Sequence, residues 1–455
     1  MMTNVPLWFT GMVFVLLYVA IVLEDWLQWN RALLAVGGAL LLWGLWALGE
    51  HPKGEVFQAL ERSALKTSPI VLFLLSVMMV VEWIQQNGGF DVLQKWLIHD
   101  NALQEVWRLT WLTFLLSAII DNMTATLIML AIVKGRYLER DRQWTLVSLV
   151  VLAANAGGAW SPIGDVTTTM LWIAGKVSAW GLIKGGLVAA ILNCLVPLLL
   201  CTKTFMAPGL SKGNASPGDE LCKGALSRVE SAHSPQDAKG LKVSRKGLIL
   251  SMGLGLMLLI PIGAHFLECS PSLLAFLSVL MVAVFLDPFL GPFLSRMGPR
   301  VRPPSLPQSH GGMHHAFFKL DWFSVAFIFG ILMCMGVLEE AGILTHLSKW
   351  MHAYLGEVFN QVLTLGFLSA FLDNIPLVSA SLGLFDSSLY ERDHALWLLL
   401  AYCAGTGGSL LILGSAAGIV AMGQEGLKFT WYLKHFTLKA LGGYLAGALV
   451  FWLLG

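Results

Sequence analysis

Residues Val5 to Leu23 form an apolar run interrupted at Thr10 and Gly11, and about 18 such residues in a row are enough for a helix to cross a bilayer. A segment in lipid must satisfy every backbone N–H and C=O from within the protein, which restricts it to helices or a closed barrel. Comparable runs recur near 31–48, 69–86, 144–172, 182–202, 247–267, 272–290, 323–340, 395–422 and 437–454. Charged residues make up 13% of the 455-residue chain and hydrophobic ones 56%. Soluble domains carry about 25% charged residues, so this chain has too little polar surface to cover a water-exposed core. The sequence therefore predicts an all-α polytopic membrane protein, with the lipid bilayer as its solvent.

Several function classes fall away. A net charge of +1 gives no basic field for nucleic acid. The six cysteines are scattered without CxxC spacing, so no disulfide framework or zinc site is expected. No Lys or Arg precedes the first run, which reads as a retained span, not a cleaved signal. An enzyme would want a nucleophile–base pair or a metal cluster, and neither motif is present. No cofactor is expected.

Two further apolar segments, 106–133 and 360–385, are broken in the middle by Asp121-Asn122-Met123-Thr124 and Asp373-Asn374-Ile375-Pro376. Their arms are shorter than the ~20 residues of a full span, so each is expected to be a re-entrant helical hairpin. The breaks belong to a long-range repeat. Leu116 to Asn122 (LSAIIDN) recurs as Leu368 to Asn374 (LSAFLDN), and Gly157-Gly158 with Gly164 recurs as Gly407-Gly408 with Gly414. Five spans separate the hairpins, and an odd number turns the second half upside down, the inverted-repeat plan of secondary transporters. A channel could share it. The halves are expected at 1–202 (hairpin 106–133, broken helix 144–172) and 247–455 (loop 291–320, hairpin 360–385, broken helix 395–422). A polar linker at 203–246 joins them. That linker has eight Lys/Arg against four Asp/Glu, and 291–320 has four Lys/Arg and no acid. Such an excess places both loops in the cytoplasm.

An acid at membrane depth costs about 2.5–3.5 kcal/mol even on the lenient insertion scale, so it usually marks an ion path. Asp121 and Asp373 hold equivalent places in the repeat. Each is followed by an amide, Asn122 or Asn374, and Thr124 adds a hydroxyl. The alternative is that they only cap helix ends. Glycines with Pro162 break the spans at 144–172 and 395–422, and broken helices expose ends that coordinate ions. Asn155, Ser161, Asp165, Thr167, Thr406, Ser409 and Ser415 offer further oxygen ligands there. Oxygen donors without His or Cys suit a hard cation. The alternative is close helix packing through small residues. Glu82, late in its span, is a weaker candidate.

The stretch Leu400 to Ser409 (LAYCAGTGGS), then Gly414 to Gly418 (GSAAG), Met422-Gly423 and Trp431 to Lys434 (WYLK) resembles the NhaD-type sodium/proton antiporters of the ion transporter superfamily. The two Asp-Asn breaks, Asn155 to Thr169, Glu82 and Gly89-Phe90 extend the resemblance over most of the chain. It implies a scaffold and a transport domain, a homodimer, and exchange of Na+ or Li+ for H+ across a bacterial inner membrane, serving sodium and pH homeostasis. Related dicarboxylate carriers have Ser-Asn-Thr at the hairpin tips; Asp121 and Asp373 stand where those serines would be. A sodium site is expected at Asp121, Asn122, Asp373 and Asn374, where a cation and protons would compete. The rival is an anion carrier for a dicarboxylate or arsenite-like substrate. It would need an Arg or Lys near the site, and Lys134, Arg136 and Lys176 lie outside the breaks.

Overall fold

The computed structural model describes residues 7–22, 24–27, 29–49, 54–97, 101–137, 139–206, 245–286, 313–385 and 389–454. Their regular elements are all helices. The first half contains α1 (Leu7–Val22), α2 (Glu24–Leu27), α3 (Arg31–Ala47), α4 (Glu55–Gln86), α5 (Asp91–Leu97), α6 (Ala102–Ser117), α7 (Asn122–Val133), α8 (Arg140–Gly158), α9 (Val166–Ile173) and α10 (Ala179–Met206). The second contains α11 (Arg245–Phe266), α12 (Pro271–Met281), α13 (Met313–Lys319), α14 (Trp322–Glu340), α15 (Ile343–Leu355), α16 (Val358–Leu368), α17 (Asn374–Leu384), α18 (Ala395–Gly407), α19 (Ala416–Glu425), α20 (Phe429–His435) and α21 (Thr437–Leu454). Most of the two polar loops (207–244 and 287–312), Cys222 and His310 lie outside the described residues.

Helices α4, α10, α11 and α14 are each long and apolar enough to cross a membrane, and α20 with α21 forms a fifth such unit bent by 59°. The span expected at 144–172 is interrupted at residues 159–165, and that at 395–422 at residues 408–415. The segments at 106–133 and 360–385 each resolve into two helices separated by the Asp-Asn break. One difference is instructive. The span expected at 69–86 is only the later part of α4, which begins at Glu55 and carries Glu61, Arg62 and Lys66 in its early turns. Hydropathy stops at those charges, but Leu, Glu, Arg and Lys are all good helix formers, so the helix does not.

Hydrogen bonds and ion pairs fix this extension. Arg62 makes a two-pronged contact to Glu340, 3.1 and 2.8 Å, and Lys66 reaches Glu339 at 2.6 Å. Both tie α4 to the end of α14. The two halves of the sequence also interleave, since α3 packs along α14 and α10 along α21.

The sequence repeat is a repeat of packing contacts. Ser117 Oγ donates to the Ala154 carbonyl at 2.5 Å, and Ser369 Oγ to the Ala404 carbonyl at 2.9 Å. A methyl group on Gly157 would run into the Phe114 carbonyl, and one on Gly407 into the Gly366 carbonyl. The same holds for Gly164 against the Ser117 carbonyl and Gly414 against the Ser369 carbonyl. Glycine at these places lets a broken helix lie directly on the backbone of the Asp-Asn segment beside it.

A buried ion pair closes the far end of the first Asp-Asn segment. Glu105, 3% exposed, accepts from Arg136 Nε at 2.7 Å and Nη2 at 3.1 Å. Removing Glu105 takes away both of these charged hydrogen bonds, so Glu105→Ala is expected to cost about 2 kcal/mol. The check is the thermal midpoint of the purified protein, which Arg136→Lys should lower less than Glu105→Ala does.

Candidate functional site

A cavity of about 290 Å³ lies between α4, α14 and the helix breaks. The first residues of four helices line it: Asn122 of α7, Val166 of α9, Asn374 of α17 and Ala416 of α19. A helix N-terminus carries roughly half a positive charge and unpaired N–H groups. Four of them meeting in apolar surroundings would by themselves form an anion site. Three are instead covered by a carboxylate of the chain. Asp121 accepts from Thr124 N at 2.9 Å and from Thr124 Oγ1 at 2.5 Å. Asp165 accepts from Thr167 N at 3.2 Å, and Asp373 from Ile375 N at 3.3 Å. The fourth, α19, is capped by the neutral hydroxyl of Ser415, which accepts from Gly418 N at 3.1 Å. Asp121 and Asp373 thus cap helices and also line a cavity.

Behind the carboxylates runs a buried amide and hydroxyl chain joining both repeats. Asn122 Nδ2 donates to Asn155 Oδ1 at 3.0 Å and lies 3.5 Å from Asp165 Oδ2. Asn155 Nδ2, on a fully buried side chain, reaches Ser409 Oγ at 2.8 Å and Ser415 Oγ at 3.0 Å. The repeat counterpart of Asn155 is Gly405, where a Cβ would stand 3.3 Å from Asp165 Oδ2. The missing side chain in one repeat therefore makes room for the acid of the other. Ser369 Oγ also lies 2.5 Å from Asn374 Oδ1, so its single proton is shared between that amide and the Ala404 carbonyl.

Of the residues singled out in sequence, Asp121, Asn122, Thr124, Asp165, Asp373, Asn374 and Glu82 line the cavity. Glu82 also accepts from Gln86 Nε2 at 3.0 Å. Asn155, Ser409 and Ser415 form the chain behind it. The Thr167 hydroxyl is buried and has no hydrogen-bond partner among the described residues. Two hydroxyls turn elsewhere: Ser161 donates to the Ala118 carbonyl at 2.5 Å and Thr406 to the Tyr402 carbonyl at 2.7 Å. Among the described residues no three His, Cys, Asp or Glu side chains converge on one metal position. A cation here would combine one or two carboxylates with neutral oxygens.

Sequence reasoning missed four contributors. Arg31, Lys319 and Asp321 also line the cavity, and the Tyr18 hydroxyl accepts the Asp373 N–H at 2.7 Å. Lys134 is exposed, Arg136 pairs with Glu105, and Lys176 lies by a second cavity. The cationic side chains therefore come from α3 and α13, not from the neighbours of the breaks. Asp321 also caps α14, accepting from Ser324 N at 3.1 Å.

The second cavity, of about 430 Å³, lies on the other side of the same helices. The two linings approach each other at Leu74 and Ile70 on α4, Ile328 and Leu332 on α14, Val166 and Met170 on α9, and Ile375 and Ser379 on α17. On every helix the gap is four residues, about 6 Å at 1.5 Å per residue. Phe73, Ile331 and Val378, all fully buried, lie in that layer.

A family model described as citrate transporter matches residues 18–385. Sodium/proton antiporter 2 of Arabidopsis thaliana is 30% identical over 434 residues, 95% of this chain and 96% of that protein. The Na(+)/H(+) antiporter NhaD of Vibrio parahaemolyticus is 31% identical over 90% of this chain and 96% of its own. That of Vibrio cholerae is 29% identical over 97% and 91%. With its helical, multi-pass architecture, the chain belongs to the NhaD-type sodium/proton antiporters of the ion transporter superfamily.

Proposed function

We propose that this protein is a secondary active transporter that exchanges Na+ or Li+ for H+, serving sodium and pH homeostasis. The observation that carries the reading is the capping of three converging helix N-termini by Asp121, Asp165 and Asp373. Each carboxylate cancels the positive helix end behind it and presents oxygen to the cavity. A position that would attract an anion is thereby turned toward a cation or a proton. In full the lining holds five carboxylates, with Glu82 and Asp321, against Arg31 and Lys319. Asn122, Asn374 and Thr124 supply neutral oxygens beside them.

Alternating access follows from the one-turn layer between the two cavities. In this reading α4 and α14, held together by Arg62–Glu340 and Lys66–Glu339, form part of the scaffold. The Asp-Asn segments are re-entrant hairpins of an inverted repeat, and with the broken helices they move against that scaffold to close one cavity and open the other. The acidic cavity is assigned to the side of the basic stretch 291–320, since Lys319 at the end of α13 and Leu320 belong to that stretch and line the cavity. Its Lys/Arg excess puts that side in the cytoplasm of a bacterial inner membrane.

A second reading has a specific observation in its favour. Arg31 and Lys319 are the cationic groups that an anion carrier would need, and the matching family model is described as citrate transporter. The carboxylates outnumber them, which favours the cation. The test is proton flux in everted vesicles carrying the protein, followed with a pH-sensitive dye. Dequenching on addition of Na+ or Li+ supports exchange. No response to either ion, together with uptake of radiolabelled citrate, would establish the anion carrier instead.

A further inference from the structure

The donor set of the acidic cavity raises a selectivity problem. Carboxylate, amide and hydroxyl oxygens are what Ca2+ binds, and it takes 6–8 of them in flexible geometry. Na+ has a similar radius and half the charge, so an anionic pocket of oxygen ligands favours the divalent ion unless another field opposes it. Asp121, Asp165 and Asp373 line the cavity with Asn122, Asn374 and Thr124, so that a cation would meet one or two carboxylates beside neutral oxygens.

An opposing field is present. Arg31 is the first residue of α3, and its guanidinium stands 5.2 Å from the centroid of the Phe327 ring. Phe327 is itself 4% exposed and lines the same cavity. Stacking of this kind holds a cation in place without neutralising it. Among the described residues Arg31 has no ion pair with a carboxylate, whereas Arg62, Lys66, Arg136 and Arg142 all do. Its positive charge acts across the cavity on Asp373, and so also on a cation bound beside that carboxylate. Lys319 adds a second charge from the end of α13.

We propose that Arg31, assisted by Lys319, is a specificity-determining residue that lowers the preference of the transport cavity for divalent cations over Na+. The inference rests on the reading of the cavity as a cation site. Its physical basis is that Coulomb repulsion scales with the charge of the ion. A fixed positive charge penalises Ca2+ twice as strongly as Na+, and selectivity shifts even where both ions bind more tightly once that charge is removed. At the distances of a cavity this size, each charge removed is worth roughly a tenfold change in the Ca2+/Na+ affinity ratio.

The experiment is equilibrium binding of radiolabelled Ca2+ to purified, lipid-reconstituted protein, with Na+ as competitor. The parent protein, Arg31→Gln, Lys319→Gln, the double variant and Arg31→Lys are compared. The expected result is the same Ca2+/Na+ affinity ratio in the parent and Arg31→Lys, and a ratio at least about tenfold higher in Arg31→Gln. The double variant should be higher still. Equal Ca2+/Na+ ratios in all five proteins would overturn the proposal, as would an Arg31→Lys variant that behaves like Arg31→Gln. Lys319→Gln, at an exposed position, keeps the test valid should Arg31→Gln fold poorly. Dequenching of the parent by Na+ is measured in parallel, so loss of the exchange reading is seen separately from loss of the shift in divalent preference.

Discussion

Asp121→Asn and Asp373→Asn are each expected to reduce Na+-driven proton flux at least tenfold, a transition-state or binding loss of ~1.4 kcal/mol or more, while leaving the fold intact. Asparagine is as good a helix cap as aspartate, so the bonds from Thr124 N and Ile375 N to the side chain at positions 121 and 373 can be kept. What disappears is the charge. This substitution therefore separates the two things these residues do. If they served only as caps, flux would persist at normal expression and thermal midpoint. The account expects normal expression and no flux. Asp165→Asn should behave alike, and Ser415→Ala, at the equivalent but neutral cap, should cost stability without abolishing exchange. All are read by dye dequenching in everted vesicles beside a measured thermal midpoint.

The second large effect lies in the backbone crossings. Gly414→Ala and Gly157→Ala each put a methyl group onto a carbonyl oxygen of the neighbouring segment, Ser369 and Phe114 respectively. A carbonyl inside a packed helix pair cannot move aside as a flexible side chain would, and overpacking of this kind costs ~3 kcal/mol or more. Both variants are expected to accumulate poorly and to unfold at markedly lower temperature. Gly423→Ala is the control, since nothing stands near a Cβ at that position. A Gly414→Ala protein of wild-type stability would mean that the broken helix does not lie on the Ser369 backbone.

The helical, membrane-spanning character was legible because lipid leaves a chain so few ways to satisfy its backbone. The paired aspartates stood out for a related reason: an acid inside an apolar run is costly, and its recurrence in the repeat removes chance. Asp165 came into view through the glycines and proline around it. Arg31, Lys319 and Asp321 were not legible, since a charge at the end of a span is usual and becomes informative only when packing turns it toward a cavity. Tyr18 looked like one more apolar residue of the first span, and no pattern in sequence links it to residue 373. Ser161 and Thr406 have the right chemistry and the right neighbourhood, and each gives its proton to a backbone carbonyl, an orientation no sequence pattern shows and one that leaves the oxygen lone pairs in place. The early turns of α4 were hidden by their charges, whose partners Glu339 and Glu340 lie far along the chain.

The central claim is that sodium and protons compete for the same cavity carboxylates. It is tested most directly by the KM for Na+ as a function of pH, measured in vesicles with the maximal rate determined at each point. Competition predicts that lowering the pH raises KM, by up to about tenfold per unit for each proton displaced, with the maximal rate reached at high enough Na+. A KM that stays constant while only the maximal rate falls would place proton and sodium on separate sites, and would contradict the account.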